Sequence, residues 1–235
     1  MHNQIEKIKE LESPSRVIRN LFDKTEINKF LDLYNKLPTT VHNKKQNVIK
    51  KRWLKDINEE LENLFYSKVK NEIGHFKMDN LKDEKNEDIL GLFQESYNPI
   101  GLHVDAGFNS EEIIYKQTLI PLTSKGGTVI FKNKFYGNST NFTINEEELK
   151  KKDLKYGQNI RSAEHLDMYE NKPFSKSDYE KYLKHEKYEN LSGLEIDIVY
   201  EWELGSILIF DRTRLHCASS LIDGKKIGLT TFTKK

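Results

Sequence analysis

Six short runs in which apolar and polar residues alternate leave this chain few choices of fold. They are Ile89 to Tyr97, Ile113 to Leu122, Thr128 to Phe131, Ile196 to Trp202, Ser206 to Phe210 and Lys226 to Phe232. A period of two turns successive side chains to opposite faces of a sheet. Gly126-Gly127, Gly205 and Asp223-Gly224 stand between runs, where glycine supplies the backbone freedom of a turn. The pattern predicts a mainly β, antiparallel sandwich or barrel preceded by helices. One domain of this kind accommodates all 235 residues.

Residues 1–88 read as a helical region. Residues 1–16 are polar and expected to fray. Asp23 with Glu26 forms a capping box, Ile27, Phe30, Leu31 and Tyr34 then share a helical face, and Pro38 follows the end. A longer second helix is expected to carry Leu54, Ile57, Leu61, Leu64 and Phe65 on one stripe and to end at Gly74. Both helices are expected to cover one face of the sheet. The basic residues between Asn43 and Lys55 surround Trp53. Such a run can bind nucleic acid, but a solvated surface over a buried Trp53 is the commoner arrangement. The balance of 38 Lys+Arg against 37 Asp+Glu, net +1, also argues against a protein built to hold polyanions. Nucleic acid is therefore not an expected partner.

Residues 89–132 and 195–235 form the expected β core. Between them, residues 133–194 are polar and lysine-rich, with a helix expected from Ser177, where Glu180 completes a capping box. A connection this long is either a functional insertion, such as a lid, or a surface excursion. The single Cys217 excludes an intramolecular disulfide and suits a cytoplasmic protein. Met1 to Glu10 is charged and lacks the apolar core of a secretory signal. No apolar run approaches the roughly 20 residues of a membrane span, so no membrane partner is expected. The sequence leaves the oligomeric state open.

The residues with chemical potential begin at Tyr97-Asn98-Pro99-Ile100-Gly101-Leu102-His103-Val104-Asp105. On a strand, His103 and Asp105 share a face with Cα atoms about 6.5 Å apart. A histidine from another strand completes the two-histidine, one-carboxylate triad that holds non-haem Fe(II). His216 is the candidate, just past the apolar run Ile207 to Phe210 and near the start of the next structured piece. A second H-x-D, His165-Leu166-Asp167, lies in the polar insertion without strand alternation, and metal ligands need rigid elements. His2, His42, His75 and His185 sit in polar or helix-end contexts and read as ordinary. Lys226 opens the run that ends at Phe232, and alternation puts Lys226, Gly228 and Thr230 on one face. An ammonium group buried beside a metal site needs an anionic partner, which a dicarboxylate provides.

From Phe93 to Phe232 these features together resemble a 2-oxoglutarate/Fe(II)-dependent oxygenase of the prolyl-hydroxylase-like type. The resemblance rests on His103 and Asp105, the distal His216, the Gly126-Gly127 strand start, the Gly205 to Phe210 strand and Lys226. It implies a double-stranded β-helix, a jelly-roll or cupin-like barrel with the N-terminal helices packed on one sheet. His103, Asp105 and His216 are then the metal ligands and catalytic centre. Lys226 grips the far carboxylate of 2-oxoglutarate, Tyr97 lines the cosubstrate pocket, and Thr230 supplies a hydroxyl on the last strand. The implied reaction consumes 2-oxoglutarate and O2, yields succinate and CO2, and hydroxylates a C–H bond of a small molecule or peptidyl side chain. Two features depart from the family. Lysine replaces the more frequent arginine and cannot fork around a carboxylate, and Gly228 stands where a hydroxyl residue is common. Asp105 favours hydroxylation over halogenation, for which the carboxylate ligand is lost. The alternatives are a non-catalytic jelly-roll binding module and a cupin-type metal enzyme that does not use 2-oxoglutarate.

Overall fold

The alternating runs form strands that sort into two antiparallel sheets. In the computed structural model the described residues are 2–44, 47–79, 81–82, 85–105, 113–136, 172–221 and 224–235. The strands are β1 (Arg16–Ile18), β2 (Val41–Asn43), β3 (Val48–Leu54), β4 (Lys77–Met78), β5 (Leu81–Lys82), β6 (Asp88–Ser96), β7 (Ile114–Pro121), β8 (Gly127–Lys134), β9 (Ile196–Glu201), β10 (Ile207–Asp211), β11 (Arg214–Ala218) and β12 (Lys226–Lys234). Nine belong to a large sheet ordered β1-β10-β7-β12-β6-β3-β2, with β4 on β12 and β5 on β6. Three form a small sheet ordered β11-β8-β9.

Helices α1 (His2–Glu10), α2 (Lys24–Lys36) and α3 (Glu59–Ile73) come from the first third of the chain. The expected capping box starts α2: the Glu26 amide donates to Asp23 Oδ1 at 2.9 Å and the Asp23 amide to Glu26 Oε2 at 2.7 Å. On one face of the large sheet, Phe93, Ile120, Ile209 and Leu229 pack with Phe30 of α2 and Phe65 of α3. Trp53 is 1% exposed and meets Phe30 and Phe65 edge-on, at centroid distances of 5.9 and 6.0 Å. Truncating such an aromatic costs about 3–5 kcal/mol. The opposite face turns toward the small sheet, where Leu119, Leu208 and Phe210 meet Ile130 and Tyr200.

Several expectations are corrected. The second helix starts at Asn58, whose Oδ1 accepts from the Leu61 amide at 3.1 Å. Leu54 instead ends β3, because the basic run is a strand whose alternation buries Trp53 and leaves Lys50 to Arg52 half-buried. Residues 2–10 form α1 rather than a frayed end: Ile8 is buried in the apolar cluster of the small sheet, and β1, from Arg16, pairs with β10. A three-residue helix, α4 (Lys176–Asp178), is capped by Ser175 rather than Ser177, and a π-helical turn Tyr179–Leu183 follows. Of the long connection, residues 137–171 lie outside the described residues, His165 and Asp167 among them. Residues 172–194 pack against the small sheet through Phe174, Leu183, Leu191 and Leu194. No helix among the described residues is long and apolar enough to cross a membrane.

Candidate metal centre

All five residues of β11 are buried, and His216 sits at its centre with its ring 5.0 Å from that of Phe210. The segment carrying His103 lies beside β11 but is not a regular strand. It is held by one antiparallel bridge in which His103 and His216 exchange both backbone hydrogen bonds, each at 2.9 Å. The Ala218 amide adds a bond to the Ile100 carbonyl at 2.9 Å. Residues paired in this way project to the same face, and the two imidazoles stand 4.2 Å apart. Asp105, two residues on, brings Oδ2 to 3.3 Å from His216 Nε2 and 3.7 Å from His103 Nε2. One donor atom from each of the three lies within 4.8 Å of the others.

Each ring is oriented by its own backbone. His103 Nδ1 lies 2.8 Å from the Gly101 carbonyl and His216 Nδ1 3.0 Å from the Arg214 carbonyl. A carbonyl only accepts, so Nδ1 carries the proton and Nε2 presents its lone pair to the centre. Burial, reinforced by His216, lowers the pKa of His103 to about 4 and keeps it neutral at physiological pH. Burial alone raises the Asp105 pKa, but His103, His216 and the Gln117 amide outweigh it and hold the carboxyl below its usual range. Gln117 Nε2 donates to Asp105 Oδ2 at 2.9 Å, while its buried Oε1 has no hydrogen-bond partner among the described residues. Two imidazole nitrogens and a carboxylate oxygen suit a divalent metal such as Fe(II). The unmatched Gln117 acceptor beside them fits a further ligand there.

Lys226 is 4% exposed with Nζ 4.6 Å from the centre of the Trp202 ring, and no carboxylate pairs with it among the described residues. Burial lowers its pKa to about 8, opposed only by Cys217. Two glycines make room for this arrangement. A Cβ on Gly126 would lie 2.8 Å from Lys226 Cδ, and one on Gly228 would lie 2.8 Å from Trp202 Cη2. The glycine found where a hydroxyl residue is common thus admits the indole. Thr230 lies farther along the same face, half-buried between Leu119 and Leu92. Tyr97 is not brought to this group. It is 37% exposed, and its hydroxyl donates to Glu95, which also accepts from Tyr34 of α2. The odd-numbered residues at this end of β6 therefore face the helices.

His185 is not the ordinary polar-context histidine the sequence suggests. Burial and the nearby Lys226 charge lower its pKa to about 4, and Nδ1 lies 3.0 Å from Ser220 Oγ. The adjacent Glu186 is fully buried, and its Oε1 accepts from the Leu102 amide at 2.5 Å. Gln117 and Glu186 both escape the sequence reading. An amide inside the apolar run of β7 is a usable signal for Gln117, whereas a glutamate in a lysine-rich stretch gives none.

No protein-family model and no curated protein matches the chain. Solved structures do. A 2OG-Fe(II) oxygenase family oxidoreductase from Burkholderia pseudomallei superposes with a TM-score of 0.51 at 11% identity, over 99% of this chain and 89% of that one. The alpha-ketoglutarate-dependent epimerase SnoN, solved with Fe3+, alpha-ketoglutarate and nogalamycin RO, superposes with a TM-score of 0.50 at 8% identity, over 98% and 84% of the two chains. A Pseudomonas putida prolyl-4-hydroxylase also matches, with a TM-score of 0.43 at 8% identity over 94% and 92%. With its two sheets and its bridged His103 and His216 segments, the chain has the fold of the 2-oxoglutarate/Fe(II) oxygenases.

Proposed function

We propose that this chain is a cytoplasmic Fe(II)- and 2-oxoglutarate-dependent dioxygenase whose two sheets form the double-stranded β-helix of that group. The reaction is hydroxylation of a C–H bond in a small molecule or peptidyl side chain, with 2-oxoglutarate and O2 converted to succinate and CO2. The observation that carries this reading is the convergence of His103, Asp105 and His216, with both Nε2 atoms and a carboxylate oxygen turned to one point.

In this reading His103, Asp105 and His216 hold Fe(II), and the bound metal supplies the oxygen chemistry. The protein's own residues position and shield. The Gly101 and Arg214 carbonyls fix the imidazoles, and Gln117 holds Asp105 ionised and aimed. Lys226, buried and with no carboxylate paired to it among the described residues, takes the far end of the cosubstrate, and its charge is worth more there than in water. Thr230 offers a hydroxyl on the same face. Tyr97 is left out because its hydroxyl is committed to Glu95. Residues 1–235 act as one domain.

The test is an anaerobic titration with Fe(II) and 2-oxoglutarate, followed by oxygen and succinate detection against candidate substrates. Wild-type protein is expected to bind one equivalent of each and form succinate only with 2-oxoglutarate present. His103→Ala should abolish metal binding and turnover while leaving the circular dichroism spectrum unchanged. Turnover that is indifferent to 2-oxoglutarate points to the cupin-type enzyme, and absence of metal binding to the non-catalytic module.

A further inference from the structure

The His103 segment has an unusual mechanical problem. In an antiparallel bridge, His103 directs both backbone groups at His216, so its neighbour Leu102 directs its amide to the opposite edge. Among the described residues that segment pairs with β11 only. That bridge and the Ala218–Ile100 bond hold the segment along one edge only, and an edge amide buried without an acceptor is costly. Glu186 answers both needs. Its side chain is fully buried, and Oε1 takes the Leu102 amide at 2.5 Å, one residue from His103.

Glu186 is itself held. It follows the π-helical turn Tyr179–Leu183. Its amide donates to the Leu183 carbonyl at 2.9 Å, and its carbonyl accepts from the Tyr179 hydroxyl at 3.2 Å. Leu183 and Leu191, on either side, are completely buried. The same turn reaches the chain just beyond β11: the Ser220 amide donates to the Tyr182 carbonyl at 2.6 Å, and His185 Nδ1 meets Ser220 Oγ at 3.0 Å. One short turn thus grips both chain segments that carry the histidine ligands.

We propose that Glu186 is a positioning residue for the metal centre, accepting the Leu102 amide as a neighbouring strand would and so fixing His103. This rests on the metal-binding reading above. Outer partners that orient ligands typically govern metal affinity by about 10–100-fold.

Anaerobic Co(II) binding to the full chain, read by calorimetry and by the d–d absorption of the bound ion, tests it. Glu186→Leu is expected to weaken Co(II) binding by about 10–100-fold and to alter the absorption bands. Glu186→Gln keeps the acceptor oxygen and is expected to restore both. A folded Glu186→Leu protein with wild-type affinity and spectrum overturns the proposal. Should that variant not fold, Glu186→Asp, which withdraws the carboxyl by one methylene, replaces it: weaker binding supports the proposal and unchanged binding overturns it. If wild type and His103→Ala bind Co(II) equally, the metal-binding reading fails and takes this inference with it.

Discussion

Lys226 carries its charge freely in water, yet here it is buried against an indole ring. Its proton is therefore easier to remove in the folded chain than in the unfolded one, at about pH 8 rather than the ordinary 10.5. Between those values the unfolded chain binds more protons than the folded one, so the contribution of Lys226 to stability increases with pH across that window. A bound carboxylate reverses the preference by pairing with the ammonium form. Affinity for 2-oxoglutarate is thus expected to fall as pH rises past about 8, measured by anaerobic calorimetry from neutral to alkaline pH, and Lys226→Met should be weak and flat across the range. A wild-type profile as flat as that of the variant removes Lys226 from the cosubstrate site. At this scale the sequence is most informative where a polar residue interrupts an apolar rhythm. His103, Asp105, His216 and Lys226 all stand out in that way. Tyr97 misleads because nearness in sequence to His103 says nothing about which face of β6 it shares; its partner Glu95 decides that.

The elements were legible to the extent that their hydrophobic period was clean. The core strands β6 to β10 and β12 lie close to where the alternation predicts them, whereas β11, which carries His216, matches none of the six runs. β3 does not stand out as a strand because Lys50, Lys51 and Arg52 fill a stretch in which only Val48 and Trp53 are buried. α1 and residues 172–194 escaped because their apolar residues are sparse and pack against distant partners, which no local pattern records. The joints between elements are also invisible in sequence. Asp211, at the end of β10, is fully enclosed: it contacts Lys116 of β7, lies 3.5 Å from Arg214 Nε of β11, and accepts from the Ser13 amide at 3.2 Å. Asp211→Asn takes from the buried Lys116 its counter-charge among the described residues, while Arg214 keeps Asp197 at 3.1 Å. The expected cost is about 3–5 kcal/mol in urea unfolding. A loss below about 1 kcal/mol, within the range of an ordinary substitution, would mean solvent or another acid compensates.

For the whole molecule, the three proposed ligands come from opposite ends of a long stretch of sequence, so metal and cosubstrate held as proposed bind only the folded chain. At one hundred times the dissociation constant, such a ligand adds about 2.7 kcal/mol of stability. For a chain of this size that corresponds to roughly 5–10 °C in melting temperature. Anaerobic thermal unfolding should show this rise with Fe(II) and 2-oxoglutarate in wild type and none in His103→Ala. A rise of equal size in the variant would place the binding elsewhere.

The position of β12 has a consequence for synthesis. It lies between β6 and β7, hydrogen-bonded to both, although every other strand of the large sheet precedes it in the chain. A nascent polypeptide on the ribosome therefore holds two half-sheets with open edges until residues 226–234 clear the exit tunnel, and exposed edges of this kind are templates for aggregation. Chains that stop before that point are natural clients for chaperones, and the same seam is where a split-protein complementation pair for this fold would be cut.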